Sequence, residues 1–195
     1  LAVLKTQVQS ALRGDMPAEQ ALHEISDTVD RATQLANQML ALAKVEQLRQ
    51  QSEPPITRLD EVLRTVALEI SPLIAQRDLD FGIQTEAAPV RAHEWMLREL
   101  TRNLLHNAVR HAPPGSELTV DLRSDAHHTA LTISDHGPGI EPELASRLFQ
   151  PFSAGDVRSR SGLGLALCQE IVQALEGSIA LTKREPASNM PGLDA

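Results

Sequence analysis

An unbroken heptad repeat of apolar residues in the first quarter of the chain constrains the fold more than any other feature. The repeat runs from Leu22 to Ala43 in alternating steps of three and four residues, which keeps its members on one helical face. It predicts a helix over about residues 18–50, and a second apolar stripe predicts another helix over residues 1–12. The members of the repeat are Leu22, Ile25, Val29, Ala32, Ala36, Met39 and Ala43.

Gly14 and Pro17 separate these two helices and predict a helical hairpin, since Gly suits the end of a helix and Pro its first turn. Two helices alone cannot bury such a repeat. We therefore expect the hairpin to pair with a second copy in a four-helix bundle. The alternative is a long helix that packs against the globular domain of its own chain.

The pattern changes after a Ser-Glu-Pro-Pro linker at residues 52–55. The remainder alternates between strands and helices, which predicts a two-layer α/β sandwich and an overall α+β class. The expected division is a partial hairpin at 1–51, the linker at 52–55 and a globular domain at 56–195. The predicted strands are 56–59, 79–84, one near Val90, 117–123, 129–134 and 178–183; the predicted helices are 60–76, 94–111, a short one at 142–148, and 164–175.

Composition excludes several classes of function. The net charge is −8 and the only aromatic residues of the Phe, Tyr and Trp type are three Phe and one Trp, which disfavours a nucleic-acid platform or an anionic membrane surface as partner. A single cysteine, Cys168, rules out an internal disulfide and a Cys-rich zinc module. No apolar run approaches the roughly 20 residues of a membrane span. Since the N-terminus also has no signal-peptide pattern, we expect a soluble, cytoplasmic protein. The start at Leu1 without Met predicts that it is a piece of a longer protein.

The first motif whose residues could take part in binding or catalysis is ELTRNLLHNAVRHA, on the helix before a double proline. Asn103 and Asn107 are four residues apart and therefore share one helical face, and Arg110 and His111 follow one turn later. An asparagine carbonyl is a hard, neutral oxygen that can complete a Mg²⁺ shell made otherwise of phosphate and water oxygens. The alternative is a pair of exposed polar residues on an amphipathic helix.

The second motif, SDHGPGI, follows a strand directly. Asp135 ends the strand, and a carboxylate there can accept a hydrogen bond from an exocyclic amine such as that of adenine. Gly137 and Gly139 permit sharp turns and a close approach of backbone to a flat ligand. The alternative is an ordinary Asp-x-Gly turn.

The third motif, SGLGLALCQEIV, places Gly162 and Gly164 at the start of an apolar helix. Small residues there expose backbone N–H groups at the positive end of the helix, which suits phosphate. The motif lacks the lysine of a P-loop and the full G-x-G-x-x-G pattern. The alternative is a glycine-rich helix start without a ligand.

The order of these motifs resembles the N, G1 and G2 boxes of the sensor histidine kinases, within the wider ATPase group of gyrase, the Hsp90 chaperones and MutL. The run LFQPF resembles the F box of the same family, and the hairpin resembles its dimerisation and histidine-phosphotransfer domain. The resemblance covers essentially the whole chain. It implies an ATP-binding domain of the gyrase, Hsp90, histidine kinase and MutL type that uses ATP and Mg²⁺.

The resemblance also implies roles for individual residues. Asn107 would hold Mg²⁺, Asn103 would line the same pocket, and Arg110 would lie near the phosphates, so that these three form the catalytic set. Asp135 would bind the adenine amine, and residues 153–161 would form a mobile lid. The other implied pocket residues are His111, Gly137, Gly139, Ile140, Phe149, Phe152, Arg160, Ser161, Gly162, Leu163, Gly164 and Leu165. Arg160 stands where the family often has a glycine.

Two departures from the family pattern lie near the ends of the chain. The phosphoacceptor box, roughly H-E-L-R-T-P-L, is missing, and His23-Glu24 is not followed by L-R-T-P. We therefore expect this chain alone not to phosphorylate itself. The family usually adds one more strand after residues 178–183, and residues 192–195 suggest only its beginning, so we expect a truncated last strand that leaves exposed backbone groups at an edge of the sheet.

The function implied is transfer of the γ-phosphoryl group of ATP to a histidine and then to an aspartate on the receiver domain of a response regulator. The expected partners are a second copy, through the hairpin, and that receiver domain, in a parent protein anchored in the membrane. The alternatives are an ATPase or serine kinase of the same fold, which Asn103 disfavours where a water-activating glutamate would stand, and a non-catalytic dimerisation module.

Overall fold

The computed structural model of the protein describes residues 2–15, 17–50, 53–140, 148–149, 163–184 and 192–194. Within these ranges the helices are α1 (Ala2–Arg13), α2 (Ala18–Arg49), α3 (Leu59–Gln76), α4 (Glu94–His111) and α5 (Gly164–Ala174). The strands are β1 (Ile56–Arg58), β2 (Asp80–Thr85), β3 (Pro89–Arg91), β4 (Glu117–Ser124), β5 (Thr129–Asp135), β6 (Thr182–Arg184) and β7 (Gly192–Asp194).

The predicted helical hairpin is confirmed. Helix α1 ends before Gly14, whose φ of +74° lies in the left-handed region that favours glycine, and the Gly14 amide donates to the Ala11 carbonyl. Pro17 immediately precedes α2. The Thr28 hydroxyl donates to the Gln7 side chain at 3.2 Å and so links the two helices.

A five-stranded sheet and the helices on one of its faces form the predicted two-layer sandwich. The strand order is β2-β4-β5-β7-β6, with β2 parallel to β4 and the other neighbours antiparallel. Every second residue of β4 is buried, because alternate side chains of a strand point to opposite faces. The core therefore lies between this face of the sheet and α3, α4 and α5.

The C-terminal strands differ from the sequence-based expectation. Strand β6 begins at Thr182, later than predicted. We expected the last strand at an edge of the sheet, whereas β7 lies between β5 and β6 and pairs with both. The reason is that β6 and β7 pair antiparallel with each other and β7 presents its other edge to the end of β5. Leu193 is thereby placed in register with Asp135.

A small two-stranded sheet, β1 with β3, connects the linker to the globular domain. Beside it, Arg58 donates two hydrogen bonds to the buried Asp60 carboxylate, at 2.9 and 2.7 Å, and the Ala88 amide donates a third at 3.0 Å. The hydrogen bonds from Arg58 outweigh the effect of burial and hold the pKa of Asp60 well below its usual range. Asp60 therefore stays charged and ties the start of α3 to the segment before β3.

Helix α2 uses two different faces. Near its C-terminal end, Ala41 and Val45 are buried in the core of the globular domain, and the Lys44 ammonium lies 4.2 Å from the centre of the Trp95 ring. The heptad repeat lies on a different, solvent-exposed face of α2, where Leu22 and Met39 are 66% and 51% exposed. The end of α2 thus packs on its own domain, as the alternative interpretation expected, while the repeat stays available. In the part of the chain that the structure describes, no helix is long and apolar enough to cross a membrane.

Candidate functional site

Helix α4 is the element on which the three motifs meet. Its bounds follow from the sequence, since its apolar side packs in the core and Pro113 and Pro114 follow its end. Asn103, Asn107 and His111 recur every four residues and so lie along one face. This polar face is about 12 Å long, at 1.5 Å per residue.

The third motif meets the polar face at Asn103. The Asn103 Nδ2 donates to the Glu99 carbonyl at 2.8 Å, which fixes the orientation of the amide. Its Oδ1 lies 3.0 Å from the position that a Cβ atom would take on Gly164, at the start of α5. Glycine at this position lets the first turn of α5 come close to the Asn103 amide.

The second motif meets the same face at its other end. Asp135 is 3% exposed at the end of β5, and its Oδ1 accepts a 2.6 Å hydrogen bond from the Gly137 amide. A Cβ atom on Gly137 would lie 2.7 Å from that oxygen and 3.0 Å from the His111 carbonyl oxygen. Gly139 has a φ of +74°, a conformation that glycine adopts without strain.

Asn107 lies between these two contacts, one helical turn from each. It is half-buried, and its side chain has no hydrogen-bond partner among the residues that the structure describes. Residues 103, 107 and 111 of α4 therefore connect a buried carboxylate at one end to a glycine-started helix at the other. This arrangement suits an elongated ligand with a polar heterocycle and an anionic tail.

The carboxylate end also carries positive charge. An Arg110 guanidinium nitrogen lies 3.3 Å from His111 Nε2, and Arg77 donates to the Arg110 carbonyl at 2.8 Å. Desolvation, followed by the charges of Arg110 and Arg77, lowers the pKa of His111. The neutral form of the His111 ring is therefore favoured, and the positive charge at this end of α4 comes from Arg110 and Arg77.

The residues present fit a magnesium ion that a ligand brings with it. Among the described residues, no group of three or more His, Cys, Asp or Glu could hold a metal. A cation would therefore depend on oxygens of the ligand, with the Asn107 carbonyl as the protein's contribution, and Mg²⁺ commonly binds in this way.

Four other predicted pocket residues are partly or fully buried. Leu163 is buried, and Ile140, Phe149 and Leu165 are half-buried. The lid at 153–161, Phe152, Arg160, Ser161 and Gly162 lie outside the described residues, as does most of the predicted helix at 142–148.

One residue near the site has no signal in the sequence. The Gln38 Nε2, on α2, lies 3.9 Å from the Cβ position of Gly164. In sequence Gln38 is one of several glutamines on a long polar helix, and only the packing of α2 against α5 brings it here. A separate groove, near His127 and His128 at the turn between β4 and β5, is at the opposite end of β5 from Asp135.

Comparison with known proteins agrees with this geometry. Residues 92–191, which contain all three motifs, match the family model described as histidine kinase-, DNA gyrase B-, and HSP90-like ATPase. The chain is 34% identical to the sensor protein QseC of Salmonella typhi over 178 residues. The aligned region covers 88% of this chain and 39% of that relative. The chain thus spans about two fifths of the length of the curated relatives it matches.

Two solved structures share the fold. The Acinetobacter baumannii histidine kinase AdeS aligns with a TM-score of 0.75 and 22% identity, over 99% of this chain and 91% of that one. The histidine kinase ThkA, in complex with the response regulator protein TrrA, aligns with a TM-score of 0.73 and 18% identity, over 98% of this chain and 55% of that one. Since the family model spans half of the chain and includes the whole polar face of α4, the chain belongs to the histidine kinase-, DNA gyrase B- and HSP90-like ATPase family, as the catalytic and dimerisation region of a sensor histidine kinase.

Proposed function

We propose that this chain binds ATP together with Mg²⁺ and positions the γ-phosphoryl group for transfer to a histidine, from which it passes to an aspartate of a response regulator. The observation that carries the proposal is the polar face of α4, contacted at one end by Asp135 and Gly137 and at the other by Gly164.

Asp135 would bind the base. Its carboxylate is buried and held by the Gly137 amide, so it is pre-oriented to accept a hydrogen bond from the exocyclic amine of adenine. Gly137 and Gly139 would let the ring lie against the backbone. Adenine would therefore occupy the end of α4 near His111.

Asn107, Asn103 and the start of α5 would hold the phosphates. The Asn107 carbonyl would ligate Mg²⁺, and the N–H groups of the first turn of α5 would face phosphate oxygens. Arg110 lies at the carboxylate end of α4, one turn from Asn107, and would add positive charge on that side of the phosphates. Mg²⁺, when bound, neutralises phosphate charge, and the protein residues supply positioning.

The described residues favour phosphoryl transfer over water activation by an ATPase. Asn103 offers an amide whose nitrogen is already bonded to the Glu99 carbonyl. The Glu99 carboxylate is itself paired with Arg102 at 3.0 Å. Neither group is placed as a general base for water.

A titration with ATP, with and without Mg²⁺, tests the proposed site. We expect calorimetric binding that weakens about 10–100-fold when the metal is chelated, because one contact to a charged group contributes about 1.5–3 kcal/mol. Asn107→Ala should remove this metal dependence, whereas Asn37→Ala, at an exposed position of α2, should keep it. Absence of ATP binding, or metal dependence that survives in Asn107→Ala, would contradict the proposal.

We also propose that this chain does not phosphorylate itself. No phosphoacceptor box occurs in residues 1–195, and the Nδ1 of His23 is engaged with the Glu19 carbonyl at 2.9 Å. Incubation with γ-labelled ATP should leave the protein unlabelled, although it binds the nucleotide. Acid-labile label on the purified protein would refute this.

The heptad repeat of α2 is the proposed dimer contact. Leu22, Val29 and Met39 are exposed in the single chain, and a second copy of the hairpin would bury them. We expect light scattering to give the mass of a dimer, and Val29→Glu to shift it towards monomer. Gln34→Glu, outside the repeat on the same helix, is the matched control. A wild-type monomer at high concentration would exclude this contact.

The proposed response-regulator partner is supported by ThkA, whose structure holds one such protein. We further propose that the parent protein is anchored in the membrane with this region in the cytoplasm. The support is that the sensor relatives are much longer than the region they share with this chain. Membrane fractionation of cells that carry the full-length protein tests the location.

A further inference from the structure

One side chain of helix α2 reaches the phosphate end of the proposed nucleotide site. The Gln38 Nε2 and the Asn103 Oδ1 lie 3.9 and 3.0 Å from the same point, the Cβ position of Gly164. The hairpin, the polar face of α4 and the start of α5 therefore converge there. Gln38 comes from the dimerisation hairpin, whereas Asn103 and Gly164 belong to the ATP-binding domain.

The Gln38 amide is not satisfied in this arrangement. Its Oε1 is buried and has no hydrogen-bond partner among the described residues. The amide borders an apolar contact, because Ala41 and Val45, on the next turns of α2, are buried in the core. A buried acceptor without a donor costs about 1–3 kcal/mol. The docked position of α2 is therefore incomplete without a further polar group.

The proposed ligand supplies the missing chemistry. A primary amide offers two N–H donors and one carbonyl acceptor. Phosphate oxygens accept hydrogen bonds, and the water molecules that Mg²⁺ usually retains can donate them. A hydrated, metal-bound phosphate beside this amide would therefore satisfy its donors and its acceptor together.

We infer that Gln38 is a positioning residue that hydrogen-bonds the magnesium–phosphate end of the nucleotide and so couples the docking of α2 to occupancy of the site. The inference rests on the proposed nucleotide function. Coupling between two equilibria is reciprocal, so nucleotide stabilises the docked α2 as much as docked α2 stabilises bound nucleotide. The hairpin thereby responds to the phosphates and not to the base.

Gln38→Met tests this, since methionine keeps the length of the side chain and removes its polar atoms. We expect the Kd for ATP–Mg²⁺ to rise about tenfold while the Kd for adenosine, which lacks phosphates, stays unchanged. Gln34→Met, at an exposed position of the same helix, should change neither. Unchanged adenosine binding shows that the variant has folded.

Hydrogen exchange gives a second readout that a purely structural role would not move. ATP–Mg²⁺ should slow exchange of the amides at 38–45 in the wild type and leave it unaffected in Gln38→Met. If Gln38→Met binds ATP–Mg²⁺ as tightly as the wild type or more tightly, while its Kd for adenosine is unchanged, the proposed coupling is overturned. If the wild type binds neither ligand, the proposed function itself fails, which is a different result.

Discussion

Asp135→Asn should weaken nucleotide binding about 10–100-fold. The substitution replaces a carboxylate with an amide of the same shape, which removes the negative charge that strengthens a hydrogen bond to the adenine amine. Such a charge-assisted bond contributes about 1.5–3 kcal/mol in a site of this kind. Because Asp135 is 3% exposed, water cannot replace the lost interaction. Calorimetric titration with ATP and with adenosine measures the loss, which should be similar for both ligands.

The fold should survive this substitution. The amide oxygen of asparagine can still accept the hydrogen bond that the Gly137 amide donates to Asp135. Asp121→Asn is the matched control, since Asp121 lies on the neighbouring strand β4 and pairs with Arg123 at 2.9 Å at the surface. If wild type and Asp135→Asn bind ATP with equal affinity, adenine does not bind at this end of the site.

Gly137→Ala should have a comparable effect on binding and a larger effect on stability. The new Cβ would lie 2.7 Å from the Asp135 Oδ1, closer than real Cβ contacts, and 3.0 Å from the His111 carbonyl oxygen, tighter than most of them. Either the carboxylate or the end of α4 must shift, and both belong to the proposed adenine pocket. We expect a loss of at least about tenfold in ATP affinity and about 1–3 kcal/mol in the free energy of unfolding, as for other overpacked sites.

Gly82→Ala separates this effect from the general effect of replacing a glycine. A Cβ on Gly82, in β2, would meet only the Thr119 Cγ2 at 3.6 Å, an ordinary contact. ATP affinity should therefore stay at the wild-type value, and the midpoint of thermal unfolding should change less than in Gly137→Ala. If both variants behave alike, the close approach of Gly137 to Asp135 is not important for the site.

The three substitutions at Asp135, Gly137 and Gln38 divide the proposed site along α4. Changes at the first two positions act at the base end and should affect ATP and adenosine together. A change at Gln38 acts at the phosphate end and should affect ATP alone. The contrast locates each contribution on a face about 12 Å long.

Much of the local structure follows from the sequence. The predicted helix 94–111 coincides with α4, because its apolar period defines the buried side and a double proline follows its end. The residue types of the site were also evident: two asparagines one turn apart, an aspartate at a strand end and a glycine at a helix start. These signals are local, since each depends on residues within a turn or two of one another.

The tertiary structure alone decided which of these residues meet. Gly164 lies beside Asn103, and Gly137 beside His111, through contacts between residues 61 and 26 positions apart in the sequence. The place of β7 between β5 and β6, and the face of α2 that covers α5, likewise had no local signal. A periodic pattern shows that a face must be buried, but not by what. The partner is chosen by the free energy of packing summed over the whole core, to which residues distant in sequence contribute as much as neighbours.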